Sequence, residues 1–202
     1  MLTLHHAKGT RSIRVLWLLE EMGLDYTLNL LKFHPSDLKS EEHRARHPLG
    51  RVPVLQDDDV TIYESGAIIE YLLARHGGDS FRPDVSSTEF PLYLQWLHYA
   101  EGIVMPPVNT IIVQTQFLSA ERQNADVLLM AQKLLGKSLK PVEDELAEKD
   151  YLTGSFSGAD IMLGSSVYVT ESLGALKEGF PNLNAYVTRL KSRPAFAKVI
   201  KL

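Results

Sequence analysis

The spacing of apolar residues changes character once along this chain, near Glu89, and the change separates two parts with different predicted architectures. Before it, short apolar runs alternate with helical patterns. Met1 to His5 is apolar but too short for a helix and predicts a first strand, with His6 to Thr10 as a loop. From Ser12, the positions Ile13, Leu16, Trp17 and Leu19 fall on one helical face, Glu20 and Glu21 point outward, and Gly23 is placed to end the helix. Tyr26 to Leu31 predicts a second strand. Strand, helix and strand form a βαβ unit, whose crossover is right-handed in nearly all known cases. Ser36 to Arg46 is weakly patterned. Val54-Leu55 and Val60 to Tyr63 then flank a turn-like Gln56 to Asp59, which reads as a β-hairpin, and Ser65 opens a further helical pattern as its N-cap. The order βαβ, α, ββα over residues 1 to about 76 predicts a small mixed sheet covered by helices.

His76 to Asp79 ends that unit, and Pro83 to Ser87 has the composition of a linker. The boundaries read from this are an α/β unit at 1–78, a linker at 79–88 and an all-helical unit at 89–202. In the last of these, one long helix is expected from about Phe90 to Phe117, broken or kinked at Pro106-Pro107, because proline removes a hydrogen bond and clashes with the preceding turn. A second is expected from about Ala120 to Glu148, with a bend at Pro141. Ser157 and Asp160 have capping-box spacing at the start of a helix running to about Leu173, and two short helices close the chain.

The composition narrows the class. The chain has 202 residues, a formal net charge of −4 and no basic block, which argues against nucleic acid or an anionic membrane as its main partner. No apolar run has membrane-spanning length and the first residues lack signal-peptide features, so a cytoplasmic location is expected. There is no cysteine, which excludes disulfides, thiolate metal sites and a thiol nucleophile belonging to the protein. Any thiol chemistry must use a bound thiol.

Candidate chemistry concentrates between His47 and Ser65. Pro53 cannot donate to a sheet ladder, and the Val52–Pro53 peptide can be cis at modest cost; a cis bond would turn the Val52 main chain outward, where an extended peptide-like ligand could pair with it as an added strand. At the Ser65 helix start, unpaired amides suit a carboxylate and Glu64 suits an ammonium, so together they suit an amino-acid head group. His43 and His47 have the i, i+4 spacing of a helical metal pair but lack the intervening glutamate of a metalloprotease motif, and no metal is expected. His5 and His6 read as structural.

Pro48-Leu49-Gly50-Arg51-Val52-Pro53-Val54-Leu55, followed by Glu64-Ser65-Gly66-Ala67-Ile68, resembles the glutathione-binding signature of cytosolic glutathione transferases, and the resemblance extends along nearly all of the chain. It is nearest to the serine-type bacterial and fungal classes. The resemblance implies a thioredoxin-like domain followed by a helical domain, a homodimer, and glutathione as co-substrate. It also implies an activity in which the glutathione thiol is activated and added to an apolar electrophile, with a glutathione-dependent peroxidase or a non-catalytic ligand carrier as alternatives. Relatives that carry cysteine reduce mixed disulfides; this chain cannot form that covalent intermediate.

In the family, a hydroxyl residue at the loop before the first helix donates to the glutathione sulfur. The pattern Ser-x-x-x-Arg matches Thr10-Arg11-Ser12-Ile13-Arg14, with Thr10 in the serine's place, while alignment to bacterial relatives favours Ser12 as the rival donor, supported by Arg11. The resemblance further assigns Glu64 and Ser65 to the γ-glutamyl end, Val52 and Pro53 to the cysteinyl backbone and Arg51 to the glycine carboxylate. His47 stands where asparagine is usual and reads as a surface residue. Tyr99, Met105, Pro106 and Asn109 are expected to line the electrophile site on the helical domain.

Overall fold

The computed structural model describes residues 1–176 and 179–202. The chain folds as two compact units, Met1–Arg82 with Lys191–Leu202, and Pro83–Leu190.

In the first unit the expected strands and helices form β1 (Leu2–His6), α1 (Ser12–Met22), β2 (Tyr26–Leu30), α2 (Pro35–Leu38), α3 (Glu41–Arg46), β3 (Val54–Asp57), β4 (Val60–Tyr63) and α4 (Ser65–Arg75). The sheet order is β2-β1-β3-β4, with β1 parallel to β2 and antiparallel to β3, and β3 antiparallel to β4. Leu4 pairs with Leu28 on one side and Leu55 on the other. The weakly patterned stretch after β2 resolves into the two short helices α2 and α3. Gly23 ends α1 in the left-handed conformation at φ 63°, and its N–H reaches back to the Glu20 carbonyl, as its position after the last periodic residue predicts. Leu4, Leu16, Trp17, Leu55, Ile68 and Ile69 are fully buried and form the core against which both helices pack.

The segment Lys191–Leu202, grouped with the helical unit by periodicity alone, belongs by packing to the first unit. Its helix α10 (Pro194–Val199) lies on α1, with the Phe196 ring 4.1 Å from the Trp17 ring. Arg193 donates to both carboxylate oxygens of Glu21, at 2.7 and 2.8 Å, and Lys198 pairs with Glu20 at 2.7 Å.

The second unit is helical. α5 (Phe90–Tyr99), a π-type stretch at Ala100–Val104, α6 (Met105–Ile112) and a second π-type stretch at Val113–Phe117 follow without a break. Helical backbone angles persist through each junction. The Pro106-Pro107 pair does not break the helix, because both prolines fall in the first turn of α6, where amides have no partner within their own helix, after a stretch of widened hydrogen-bond register. α7 (Ala125–Glu145) starts later than periodicity suggested. Asn124 caps it by accepting from Asp126 and Val127 N–H, and Pro141 is carried inside it. α8 (Gly158–Ser172) begins at the Ser157/Asp160 capping box, and α9 (Pro181–Ser192) follows.

Candidate functional site

Two loops of the first unit carry the residues that the sequence singled out. The first joins β1 to α1. Ser12, the opening residue of α1, is fully buried, and its Oγ lies 2.7 Å from His6 Nδ1 and 2.6 Å from Thr10 Oγ1, while the Ala7 N–H donates to it at 3.2 Å. Thr10 Oγ1 also lies 2.7 Å from the Ala7 carbonyl oxygen. Thr10 is half-buried, so of the two candidate residues it is the one with exposed surface. Ser12 has no exposed surface to offer a ligand and sits behind Thr10. Burial lowers the pKa of His6 below its ordinary value, against the bond to Ser12, and keeps the ring neutral at pH 7. Arg11, the residue preceding α1, is half-buried.

The second loop leads into β3. Gly50 takes φ 53°, and a Cβ there would stand 2.1 Å from the Leu38 carbonyl oxygen, so only glycine fits where the loop crosses α2. The crossing is pinned from both sides: Lys39 Nζ donates to the Gly50 carbonyl at 2.9 Å, and His43 Nε2 donates to the Arg51 carbonyl at 2.8 Å. His47 is not a surface residue. It is 4% exposed, its ring centroid lies 4.5 Å from that of Tyr63 at a tilt of 38°, and its Nδ1 accepts the Leu49 N–H. The Val52–Pro53 peptide is cis, β3 begins only at Val54, and Val52 therefore stands outside the ladder, half-buried beside an exposed Arg51.

At the start of α4 the structure departs from the expected cap. Ser65 is the first helical residue rather than the N-cap. Its side chain is buried and accepts from Arg14 Nη1 at 3.1 Å, which ties α4 to α1. Glu64 holds the cap position at φ 73°, a conformation rare for a residue with a side chain, and its carboxylate is exposed. At this helix start Glu64 is exposed while Ser65 is turned into the protein.

Comparison with known proteins bears on this arrangement. Residues 1–74 match the glutathione S-transferase N-terminal domain and residues 104–194 the glutathione S-transferase C-terminal domain. Glutathione S-transferase 4 of Zea mays is 34% identical over 196 residues, covering 92% of this chain and 85% of its own. The chain belongs to the glutathione S-transferase family. Among solved glutathione transferases, URE2P6 of Phanerochaete chrysosporium, a complex with oxidized glutathione, matches with a TM-score of 0.89 at 26% identity over 99% of this chain and 94% of that one. A theta class glutathione S-transferase of Xanthomonas axonopodis pv. citri with glutathione bound matches with a TM-score of 0.88 at 25% identity, covering 100% of this chain and 97% of that one.

In this member of the family, the residues expected to line an electrophile site divide. Pro106 and Asn109 are exposed on α6, whereas Met105 is 4% exposed and packs in the core of the helical unit. Tyr99 is half-buried and spends its hydroxyl on the Ser138 carbonyl at 3.0 Å. Sequence reasoning gave no site role to three residues that hold these loops: His6, read as structural, His43, weighed only as a metal ligand, and Arg14, matched only as the arginine of the Ser-x-x-x-Arg pattern. His6 had a legible signal in hindsight, since a histidine closing β1 six residues before the first serine of α1 is within reach of that serine once the loop folds back.

Proposed function

We propose that the protein is a glutathione transferase that ionises the thiol of bound glutathione and directs the thiolate to an apolar electrophile. One observation carries the reading: the hydroxyl of Thr10, a half-buried residue, heads a chain of buried polar groups at the entrance to α1. A thiol with a reference pKa of about 8.5 is only a few per cent thiolate at neutral pH, and the thiolate is the nucleophile. A hydroxyl donor aimed at sulfur favours the anion, and the positive end of α1 adds to it. Thr10 is thus the donor in this reading, and Ser12 supports it from behind.

The rest of glutathione finds matching chemistry on the same unit. The main chain of Val52, beside cis-Pro53 and outside the ladder, pairs with the cysteinyl backbone as an added strand would. The first amides of α4 take the γ-glutamyl carboxylate and Glu64 the ammonium, with Ser65 holding the turn through Arg14. Arg51, exposed, takes the glycine carboxylate, and Arg11 contributes positive potential near the sulfur. The thiolate then forms a carbon–sulfur bond with the electrophile, which either expels its leaving group or takes up a proton. Pro106 and Asn109 remain in the proposal as contacts for that second substrate.

The family resemblance also supports a homodimer and a cytoplasmic location as parts of this proposal. Among the described residues no helix is long and apolar enough to cross a membrane. On α4 and α5, Ile68, Ile69, Leu72, Tyr93, Trp96 and Leu97 are buried, so a dimer contact through these helices would fall to half-buried residues such as Tyr71, Phe90, Leu92 and Leu94.

The activity is read by following glutathione addition to a panel of aryl halides, epoxides and enones. Thr10→Ala should lower kcat/KM by about a hundredfold, the typical loss for one preorganised donor to a developing anion, and Thr10→Ser should retain most of it. Wild-type protein inactive across the panel, or Thr10→Ala as active as wild type, would overturn the assignment.

A further inference from the structure

Three short contacts run in sequence at the start of α1: His6 Nδ1 to Ser12 Oγ at 2.7 Å, Ser12 Oγ to Thr10 Oγ1 at 2.6 Å, and Thr10 Oγ1 to the Ala7 carbonyl at 2.7 Å. Each length is that of a hydrogen bond with a proton in it. The Ala7 carbonyl can only accept, so Thr10 supplies the proton of the last contact. With its single proton spent there, Thr10 must accept from Ser12, and Ser12, with its own proton spent on Thr10, must accept from His6. The ring is neutral, and the proton it carries therefore sits on Nδ1. In the other tautomer two hydroxyl protons would have to fill three contacts, leaving two bare oxygens 2.7 Å apart. The Ala7 N–H, donating to Ser12 Oγ at 3.2 Å, occupies the serine's second lone pair and leaves this direction unchanged.

We propose that His6 is a positioning residue for the reaction proposed above: its Nδ1–H sets the direction of the Ser12 and Thr10 hydroxyls, so that the last proton of the chain points outward from Thr10 as a donor for the thiolate. The inference rests on Thr10 as the thiolate donor. Without a ligand that proton is held by the carbonyl of the buried Ala7, and swinging it to a nearby sulfur breaks no other bond in the chain. Nothing in this role takes up a proton from glutathione. The ring stays neutral throughout, consistent with its burial on the last residue of β1. Without His6, only the Ala7 carbonyl, 2.7 Å from Thr10 Oγ1 and 3.3 Å from Ser12 Oγ, orders the hydroxyl protons, and it no longer does so once Thr10 turns from it toward the sulfur. Thr10 can then donate inward to Ser12 and meet the sulfur as an acceptor, which favours the neutral thiol.

The test measures, for each variant, the thiol pKa of bound glutathione by ultraviolet thiolate absorbance and, separately, the affinity for S-methylglutathione, which has no thiol to ionise. His6→Leu should raise the bound thiol pKa by about one unit and lower kcat/KM about tenfold at pH 6.5 while leaving S-methylglutathione affinity within about twofold. His6→Asn, whose amide can place an N–H where Nδ1–H stood, should restore the wild-type thiol pKa. A role in packing alone would be served by leucine as well as by asparagine. In a Ser12→Ala background the chain is already cut, so His6→Leu should add nothing further. Nitrogen-15 correlation spectra of the His6 ring in wild-type protein should show the Nδ1–H tautomer, a readout that does not depend on how the variants fold.

The proposal is overturned by an Nε2–H tautomer. It is equally overturned if His6→Leu folds and binds S-methylglutathione normally with an unchanged thiol pKa, or if His6→Asn behaves like His6→Leu. These results leave Thr10 as donor intact provided that Thr10→Ala raises the thiol pKa. If Thr10→Ala does not, the thiolate-donor reading has failed first.

Discussion

His5 is held in one protonation state by two amide side chains. Asn29 donates to its Nδ1 at 2.8 Å and its Nε2–H donates to Gln56 at 2.7 Å, so β1 is cross-linked to β2 and β3 through a neutral ring. Burial is the main cause of a pKa below the ordinary 6.5; Arg46 and His43 lower it further, while the Gln56 bond and Glu42 act the other way. The unfolded chain therefore takes up a proton here before the folded one does. The stability this group contributes is present above about pH 6.5 and is lost as pH falls toward the folded-state value. His5→Gln should be less stable than wild type by roughly 1 kcal/mol at pH 7.5 in urea unfolding, with the gap narrowing by pH 5.5. A gap that widened on acidification would contradict the neutral ring. Single residues were also where the sequence was least legible. Thr10 and Ser12 were both visible as hydroxyls before a helix, but which one faces solvent depends on how the loop folds back on β1, and no local pattern encodes that. Ser65 was legible as a helix start, yet its burial against Arg14 is a long-range contact that periodicity does not report.

Elements were legible where local chemistry repeats. The period-two and helical patterns located every strand and most helices, and the Ser157/Asp160 spacing located α8 because a capping box is written within four residues. The structure adds what that motif is asked to hold. Asp160 has no exposed surface, and its carboxylate accepts from Leu152 N–H, Ser157 N–H and O–H, and the Tyr186 hydroxyl, joining α8 to the preceding loop and to α9. Burial pushes its pKa up to about 6 against those four donors, so it is chiefly ionised at neutral pH. The sign is opposite to that of His5. Between its ordinary 3.8 and about 6 the folded state keeps the extra proton, and this group's contribution falls as pH rises through that window. Asp160→Ala leaves several buried donors without a partner, at about 1–3 kcal/mol each, and should lower unfolding free energy by at least about 3 kcal/mol at pH 7.5. A loss below about 1 kcal/mol in chemical denaturation would show the network to be dispensable. The π-type stretches on either side of α6 were illegible, because a shift of hydrogen-bond register leaves the apolar spacing nearly intact.

At the scale of the whole molecule, the periodicity change near Glu89 marked the passage from mixed sheet to helices, but it could not show where the last helix packs. α10 returns to α1, where Phe196 meets the fully buried Trp17 and Arg193 grips Glu21 with two hydrogen bonds. Those contacts join residues more than 170 positions apart, and a local pattern carries no trace of them. The helix that positions Thr10 and Ser12 is thus backed by the end of the chain. Phe196→Ala should cost about 3–5 kcal/mol, typical for emptying a buried aromatic site, and should weaken glutathione binding alongside stability if α1 loosens. Unchanged stability by denaturant titration would mean that α10 is a passive appendage. At the centre of the proposed function, this helix start, backed by α10, turns a bound thiol into a thiolate. The measurement that tests it most directly is an ultraviolet pH titration of glutathione bound to wild-type protein and to Thr10→Ala. A wild-type thiol pKa at least about one unit below that of free glutathione, returning to the free value in Thr10→Ala, is the predicted result. An unshifted wild-type pKa, or a shift that survives the loss of Thr10, would contradict it.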